Sequence, residues 1–367
     1  MVDVLREDYG NPSSVHHFGQ RAKAAIDESR AAVAALIGAD ASEIVFTSGG
    51  TESDNFALRG VAEALQPSGR RHLITTTIEH EAVLNTVKAL ARRGWPVTSV
   101  RVDQTGIVTA DAISEALTDR TALVTVMHAN NEIGTIQPVA DIARIARAQG
   151  VVVHTDAVQS AGKIPIDVKA LGVDLLSLSA HKIYGPKGVG ALWIRRGLRL
   201  VSQLTGGKHE RSRRAGTENV AGIVGMGVAA RLARVRMADE AARLAALRDR
   251  LDEGVLAAVT GTAINGVRHL RVPNTTNISF DHVEAESLLI ALDLQGIAVS
   301  TGSACSSGTL EPSHVLKAMG FPAHRAQNSI RFSLGAANTE ADVDRVIAVL
   351  PGVVDKLRSL TRTPVRA

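Results

Sequence analysis

The amino-acid sequence predicts an α/β fold: a mostly parallel central sheet with helices on both faces, followed by a smaller C-terminal α+β domain. Short apolar and β-branched runs alternate with alanine-rich stretches of helical spacing over the first two-thirds of the chain. This alternation is typical of parallel strands joined by helical crossovers. The length of 367 residues indicates two domains, because a single core rarely grows beyond about 250–300 residues.

Six short runs have the composition of buried strands. Each is mostly apolar or β-branched, as expected for strands that are covered on both faces of a sheet. The runs are Ile44–Thr47 and residues 73–77, 123–127, 151–154, 174–179 and 189–194. Ligands of doubly wound sheets bind at the carboxyl ends of the strands, so functional residues are expected directly after these runs.

Two amphipathic helices are evident from the spacing of apolar residues. The first is predicted over residues 18–36, where one helical face carries Phe18, Ala22, Ile26, Ser29, Val33 and Leu36. The second is a long helix whose apolar face carries Leu244, Leu247, Leu251 and Val255. The composition changes near residue 235, which predicts a large cofactor-binding domain over residues 1–237 and a small domain over residues 238–367.

Composition argues against several classes of protein. No window approaches 18 uninterrupted apolar residues, so a membrane span is not expected, and the first eight residues lack the apolar run of a signal peptide. One cysteine excludes an internal disulfide and a multi-cysteine zinc site, and it fits a reducing cytoplasm. The net charge is only +4 and the basic residues are scattered, so direct nucleic-acid binding is not expected. We expect no metal site.

A glycine pair follows the first predicted strand, in residues 48–55 (SGGTESDN). Gly49 and Gly50 let backbone N–H groups approach an anion between a strand and a helix start, and Thr51 adds a hydroxyl. The segment is therefore a candidate phosphate cradle. A tight turn explains two adjacent glycines equally well.

An acid and a lysine follow two later strands. A buried carboxylate at Asp156 needs a cationic partner, such as a protonated ring nitrogen of a cofactor; the alternative is a helix N-cap. Desolvation would lower the pKa of Lys182 and suit it to form a Schiff base; the alternative is a surface lysine in a turn. A phosphate cradle, an acid and a Schiff-base lysine together are what pyridoxal 5′-phosphate (PLP) requires.

Five motifs resemble the class V aminotransferase group of PLP enzymes and, within it, the class I cysteine desulfurases. The first four are residues 48–55, 128–134 (HANNEIG), 154–159 (HTDAVQ) and 179–188 (SAHKIYGPKG). The fifth, residues 300–307 (STGSACSS) followed by 310–316 (LEPSHVL), is similar to the long catalytic-cysteine loop of that class. The resemblance covers nearly the whole chain and implies a fold-type I PLP transferase.

The resemblance implies cofactor-binding roles for the matching residues. Lys182 would hold PLP as a Schiff base and move the substrate α-proton, while Asp156 would pair with the pyridine nitrogen. His80 would stack on the ring and move protons, and Gln159 and Asn131 would contact the ring 3′-oxygen. The phosphate would be bound by Gly50, Thr51, Ser179 and His181.

The resemblance also implies a reaction and its partners. Arg331, together with Asn131, would bind the substrate L-cysteine, with the guanidinium on its carboxylate. The thiolate of Cys305 would attack the substrate sulfur, so that a persulfide forms on Cys305 and L-alanine leaves. Thr217 would reach the phosphate of the partner subunit, which implies a homodimer. An iron–sulfur scaffold or another sulfur-acceptor protein would then receive the sulfur.

Three of these residues have simpler structural interpretations. His80 can be the N-terminal residue of a helix in a polar loop, and Arg331 can form an ion pair in the core. Cys305 can be inert packing, although its serine- and glycine-rich surroundings argue against burial.

Two other functions stay open from the sequence. One is a selenocysteine lyase or class V aminotransferase, although an aminotransferase needs no thiol. The other is a cofactor-binding but inactive subunit of a sulfur pathway. The second alternative arises because members of the family usually carry a further segment before the motif of residues 9–14, and nothing in this chain matches it.

Overall fold

The computed structural model describes residues 1–302 and 312–362, which form two units. Unit 1 comprises residues 1–100, 108–128 and 137–237, and unit 2 comprises residues 101–107, 129–136 and the described residues from 238 onward. The two short stretches 101–107 and 129–136 of unit 2 fall within residues 1–237, which the sequence analysis assigned to the large domain. Residues 129–136 belong to unit 2 because their backbone pairs with residues 270–272, through Val272 N to Gly134 O (2.9 Å) and Ile136 N to Leu270 O (3.0 Å).

Seven strands of the described residues form the sheet of unit 1. They are β1 (Ile44–Thr47), β2 (His72–Thr76), β3 (Val97–Val100), β4 (Thr121–Thr125), β5 (Val152–Asp156), β6 (Leu175–Ser179) and β7 (Gly190–Ile194). Their order is β1-β7-β6-β5-β4-β2-β3. Four of the six pairs within this described sheet are parallel, so the predicted α/β fold with a mostly parallel sheet is confirmed.

Strand β7 runs antiparallel to both of its neighbours, β1 and β6. The chain therefore enters β7 at the edge where β1 and β6 end. For this reason the turn before β7, at Lys187 and Gly188, lies at the same edge as Thr47 and Ser179, which are the last residues of β1 and β6. The sequence analysis predicted this strand but not its direction.

Helices surround the sheet of unit 1. They are α1 (Val2–Glu7), α2 (His17–Leu36), α3 (Gly50–Leu65), α4 (Glu81–Ala91), α5 (Ala110–Ala116), α6 (Val139–Ala148) and α7 (Val168–Leu171). A core beside the strands is built from side chains of α3, α4 and the sheet, including Phe56, Val61, Leu73, Val87 and Leu123. Their burial supplies the main stabilisation of this layer.

Helix α2 largely matches the prediction, with one correction. Ala22, Ile26 and Val33 are at most 1% exposed, as predicted for the buried face. Phe18 is 46% exposed, so it does not belong to that face. It stacks instead on Tyr9, with the ring centroids 6.0 Å apart.

Unit 2 contains a three-stranded antiparallel sheet in the order β10-β9-β8. Its strands are β8 (Thr262–Ile264), β9 (Thr275–Phe280) and β10 (Ser329–Ser333). Helix α8 (Val220–Ala258) begins in unit 1 and ends in unit 2, and α9 (Ala285–Asp293), α10 (His314–Ala318), α11 (Ala323–Gln327) and α12 (Glu340–Arg362) follow. As predicted, Leu244, Leu247, Leu251 and Val255 lie in the buried core of this unit.

Candidate active site

The glycine pair after β1 lies at the N-terminus of α3, in closely packed surroundings. A Cβ atom on Gly50 would lie 2.8 Å from Val158 Cγ2, and a Cβ atom on Gly190 would lie 2.6 Å from Gly49 Cα. Glycine at position 190 therefore lets the start of β7 meet the loop before α3, and glycine at position 50 lets the start of α3 pack against Val158. The first N–H groups of a helix have no partner within the helix, so this start can bind an anion.

A cavity of about 280 Å³ opens at this helix start. Three segments line it: Ser48, Gly49, Gly50, Thr51 and Glu52 after β1, Ser179 and His181 after β6, and Lys187 and Gly188 before β7. The sheet thus brings together the four residues that were predicted to bind phosphate. Backbone N–H groups, hydroxyls and a lysine make this a cavity suited to a phosphate group.

His181 is held beside Ser179 in this cavity. The distance between His181 Nδ1 and Ser179 Oγ is 2.9 Å. Burial lowers the pKa of His181 below its ordinary value, and the positive charges of Lys182 and Lys187 lower it further. His181 is therefore neutral at pH 7, and the positive charge at this edge comes from the lysines and the helix start.

An ion pair ties the loop that contains Thr217 to the start of α3. Arg214 Nε lies 2.8 Å from Glu52 Oε1, and Ser48 N donates to Glu52 Oε2 at 2.8 Å. Burial alone would raise the pKa of Glu52, but the hydrogen bonds from Arg214 and Ser48 outweigh it and lower the pKa. Thr217 itself is exposed on unit 1, three residues from this anchor.

Asp156 ends β5 as a buried carboxylate that faces two basic side chains. It is 7% exposed and accepts a hydrogen bond from Val158 N at 2.9 Å. Burial raises the pKa of Asp156, whereas that hydrogen bond and the electrostatic interactions with His80 and Lys182 act to lower it. The structure therefore brings Asp156, Lys182 and His80 within electrostatic range of one another.

Lys182 lies on the short 3-10 helix Ala180–Ile183, directly after β6. Its side chain is exposed in the single chain. The sequence analysis expected desolvation at this position because a buried strand precedes it. The structure corrects this expectation, since the 3-10 turn carries Lys182 beyond the covered edge of the sheet.

His80 and Gln159 are each oriented by a neighbour. His80 is the N-cap of α4, and its Nδ1 accepts a hydrogen bond from Ala82 N at 3.1 Å, which leaves the proton of the neutral ring on Nε2. The helix-terminal interpretation of His80 is thus correct as a description of its place. Gln159 Oε1 accepts from Lys163 Nζ at 3.0 Å, so the amide Nε2 is the group that can donate to a ligand.

Asn131 and Arg331 lie together in unit 2. Arg331 Nη1 donates to the backbone oxygen of Asn131 at 2.9 Å. The side-chain oxygen Asn131 Oδ1 is buried and has no hydrogen-bond partner among the described residues. A buried polar atom without a partner is costly, so this oxygen is suited to receive a donor from a ligand.

Sequence reasoning missed two further buried acids in unit 1. Asp54 is 1% exposed, and its pKa is raised by burial and then by the negative charge of Asp156. Glu79 is completely buried and accepts hydrogen bonds from Thr76 Oγ1 (2.7 Å) and Met127 N (3.0 Å). Burial raises the pKa of Glu79 to about 8. Asp54 lies within the motif of residues 48–55 and Glu79 directly precedes His80, but a lone acid in a sequence does not reveal that it is buried.

The histidine beside Asp54, His154, is neutral at pH 7. Burial lowers the pKa of His154 to about 3, so its contact with Asp54 (3.6 Å from Nε2 to Oδ1) is not an ion pair at pH 7. Positive charge acts to lower the pKa of Asp156 but is not a cause of the shifts of Asp54 and Glu79. Among these three carboxyl groups, Asp156 is therefore the one suited to pair with a cation.

Replacing Glu79 with glutamine is expected to change how stability depends on pH. Between the ordinary glutamate pKa of 4.5 and the raised pKa of about 8, the folded chain keeps a proton on Glu79 that the unfolded chain has released. Stability therefore falls as the pH rises through this window, by up to about 1.4 kcal/mol per pH unit. The melting temperature of Glu79→Gln should rise relative to the parent between about pH 5.5 and pH 8.

Glu81→Gln is the control for this comparison, because Glu81 is exposed two residues away. Its melting curve should remain parallel to that of the parent over the same pH range. A constant difference between Glu79→Gln and the parent would contradict the assignment of a protonated Glu79.

Cys305 lies outside the described residues. Within residues 1–302 and 312–362, no group of three or more His, Cys, Asp or Glu side chains is arranged to hold a metal ion. No helix in the same part of the chain is long and apolar enough to cross a membrane.

Comparisons with known proteins agree with this architecture. The aminotransferase class-V family profile matches residues 1–346. The chain is 50% identical over 361 residues to the cysteine desulfurase IscS of Dictyoglomus turgidum, which covers 98% of this chain and 91% of the relative. It is also 50% identical to a cysteine desulfurase of Nostoc sp., over 98% of this chain and 90% of the relative.

Solved structures extend the likeness to three dimensions. A NifS-like protein superposes with a TM-score of 0.89 at 40% identity, covering 98% of this chain and 93% of the other. A NifS-like protein from Rickettsia africae superposes with a TM-score of 0.86 at 31% identity, covering 96% and 94% of the two chains. The chain therefore belongs to the cysteine desulfurases, enzymes of the aminotransferase class-V family.

Proposed function

We propose that the chain is a PLP-dependent cysteine desulfurase that converts L-cysteine to L-alanine and leaves the sulfur as a persulfide on Cys305. The observation that carries this proposal is the buried carboxylate of Asp156 opposite the basic side chains of Lys182 and His80. That arrangement stands on the same unit as a phosphate-sized cavity at the start of α3. An acid, a lysine and a phosphate site are the three things that PLP needs from a protein.

The residues present fit PLP. The cavity of about 280 Å³ offers a helix start, two hydroxyls and an imidazole for the phosphate, through Gly50, Thr51, Ser179 and His181. Asp156 would hold the proton of the pyridine nitrogen, and its burial makes such a cationic partner favourable. When bound, PLP supplies an electron sink that weakens the Cβ–S bond of cysteine.

The other side chains would bind, orient and move protons. Lys182 would hold the cofactor and then carry the α-proton of the substrate. His80 would stack on the ring and present the protonated Nε2, because its Nδ1 is engaged by Ala82 N. Gln159 would donate to the ring 3′-oxygen through Nε2, since Lys163 engages its Oε1. The buried oxygen Asn131 Oδ1 would receive a donor from the cofactor or the substrate.

Sulfur transfer would use the one thiol of the chain. The thiolate of Cys305 would attack the sulfur of the bound cysteine, so that a sulfur–sulfur bond forms as the Cβ–S bond breaks. The electron pair of the broken bond stays with the substrate carbon, which takes up a proton before alanine leaves. Because Cys305 is the only cysteine, the persulfide has to pass to a thiol or a cluster outside the chain.

Arg331→Lys is expected to weaken substrate binding more than turnover. A guanidinium holds a carboxylate with two parallel hydrogen bonds, and lysine keeps the charge without that fork. KM for L-cysteine should therefore rise about tenfold while kcat falls less, and the preference for L-cysteine over cysteamine, which lacks the carboxylate, should shrink. Steady-state sulfide release measures turnover of both substrates, and alanine release checks the values for L-cysteine.

Arg345→Lys is the matched control, because Arg345 is exposed on α12 of the same unit and donates to Gln295 O. It should behave like the parent. An unchanged preference for L-cysteine over cysteamine in Arg331→Lys would remove Arg331 from the substrate site.

We further propose a homodimer, a cytoplasmic location and an iron–sulfur scaffold or other sulfur acceptor as partner. The exposed Thr217, tied to the cavity by the Arg214–Glu52 ion pair, is in a position from which a side chain can reach outward to a second copy. These three statements rest on the family resemblance and on the composition of the chain.

The decisive experiment is incubation of the PLP-loaded protein with L-cysteine, with measurement of alanine and of the intact protein mass. Equal molar alanine and an added sulfur atom on the protein would support the proposal. Alanine that appears only when pyruvate is supplied would indicate an aminotransferase, and turnover of selenocysteine but not cysteine would indicate a selenocysteine lyase. Full cofactor occupancy without any turnover would indicate an inactive subunit.

A further inference from the structure

Glu132 is a buried acid of unit 2 that the proposed chemistry does not use. It is 2% exposed, and its backbone is fixed in a turn: Asn130 Oδ1 accepts hydrogen bonds from Glu132 N (2.8 Å) and Ile133 N (3.1 Å). Asn277 Nδ2 donates to Glu132 O at 3.3 Å, which ties the turn to β9. Because the backbone of Glu132 is fixed on both sides, its buried carboxyl group projects from a defined position and can anchor other segments.

The carboxyl oxygen Glu132 Oε2 lies against two residues that flank the chain segment 303–311: Gly302, directly before it, and Ser313, two positions after it. Ser313 Oγ donates to it at 2.5 Å. Gly302 lies against it so closely that a Cβ atom on Gly302 would be 2.5 Å from Glu132 Oε2. Gly302 also has a φ of +88°, a conformation that favours glycine. One oxygen atom therefore meets the chain just before and just after this segment.

Both flanking residues are themselves anchored within unit 2. Gly302 N donates to Ser300 Oγ at 3.3 Å, and Ser300 pairs with Arg331 through two backbone hydrogen bonds of 2.6 and 3.2 Å. Ser313 caps α10 by accepting from Leu316 N at 3.2 Å. The contacts of Glu132 thus join the strand that carries Arg331 to the start of α10.

The electrostatic surroundings of Glu132 include Arg331, the residue predicted to bind the carboxylate of the substrate. Burial raises the pKa of Glu132, while the hydrogen bond from Ser313 and the positive charges of His314 and Arg331 act to lower it. Arg331 also donates to the backbone oxygen of Asn131, which precedes Glu132 in the turn. Arg331, Glu132 and the two flanking residues form one connected set of contacts.

We propose that Glu132 is a positioning residue for sulfur transfer: it holds Gly302 and Ser313, which lie on either side of the segment that contains Cys305, on the same set of contacts that holds Arg331. This inference rests on the proposed function of Cys305 and Arg331, and it assigns a role to an acid outside the predicted site. The position of an attacking thiol is demanding, because a misplacement of about 1 Å can cost about 10²-fold in rate. Loss of the anchor should therefore slow transfer to Cys305 more than binding of cysteine.

The test uses four variants of the full-length, PLP-loaded protein: Glu132→Ala, Glu132→Gln, Ser313→Ala and Ser279→Ala. Ser279 is the matched control, since it is a 3% exposed serine of unit 2 that donates to Ala263 O and does not contact Glu132. Stopped-flow absorbance gives the cysteine concentration for half-maximal binding. Intact mass after rapid quenching gives the rate at which Cys305 gains sulfur.

We expect Glu132→Ala to slow the gain of sulfur about 10²-fold, and Ser313→Ala about tenfold, with less than about a threefold change in half-maximal binding. Glu132→Gln retains an oxygen acceptor for Ser313 and should recover part of the rate. Ser279→Ala should match the parent. Equal loss of binding and transfer, or an unchanged transfer rate in both Glu132→Ala and Ser313→Ala, would overturn the inference.

A second readout does not depend on the reaction. Because Cys305 is the only thiol, its alkylation by iodoacetamide reports on this segment alone. The alkylation rate should change at least about threefold in Glu132→Ala and Ser313→Ala but not in Ser279→Ala. That result supports the anchor even if the parent gains no sulfur from cysteine, in which case the proposed function fails by itself. An alkylation rate equal to that of the parent in both variants would refute the anchor.

Discussion

Lys182→Ala is expected to abolish the visible absorption band of the PLP-loaded protein and to lower alanine release by about 10³-fold or more. Lys182 lies directly after β6, where its positive charge acts to lower the pKa of the buried Asp156. Alanine at this position can neither hold the cofactor covalently nor carry the α-proton. Absorbance of the purified variant and alanine release under saturating cysteine measure the two consequences separately.

Lys169→Ala provides the comparison for this experiment. Lys169 is an exposed lysine of the short helix α7 in the same unit. It should retain both the absorption band and the activity of the parent. A Lys182→Ala protein with its visible band intact would exclude Lys182 as the residue that holds PLP.

Cys305→Ser is expected to keep the visible band and its response to cysteine while it loses the added sulfur on the protein. Serine keeps the size of the side chain but offers no sulfur to form the new bond, so multiple-turnover alanine release should fall by about 10²-fold or more. Intact mass spectrometry after cysteine treatment is sufficient, because the parent contains no other thiol.

Sulfur transfer should require a thiol at position 305, and a thiol elsewhere in the chain should not replace it. The double variant Cys305→Ser/Ser68→Cys contains one thiol, as the parent does, at an exposed residue of unit 1. It should remain without sulfur transfer. Recovery of activity in the double variant, or full alanine release in Cys305→Ser, would refute the persulfide mechanism.

Fully buried strands were predictable from the sequence because burial on both faces demands continuous apolar runs. Strand β3 (Val97–Val100) was missed for the same reason, since it lies at the edge of the sheet and has threonine and serine between its two valines. The long helix α8 was recognised only by its later apolar repeat. Its first turns contain Gly225 and Gly227, which pack tightly against Pro186 and Ser29 and weaken the helical pattern.

The candidate site was predictable where each residue follows a strand in a recognisable motif. Asp156 and Lys182 were found in this way, and the structure adds their electrostatic contact. The exposure of Lys182 could not be predicted, because it depends on the 3-10 turn after β6. Glu79 and Glu132 were missed because their partners lie far away in sequence, at Met127 and Ser313.

The reversed direction of β7 also bears on how the protein folds. The phosphate-sized cavity needs residues 48–52, 179–181 and 187–188, so two of its walls are more than a hundred residues apart along the chain. Contacts of such long sequence separation form slowly, because the entropy of the intervening chain has to be lost before the contact is made. A ligand that binds only the completed cavity selects the folded chain by mass action. Cofactor binding should therefore report that the chain has folded through β7. A fragment that ends before β7 should not retain the cofactor.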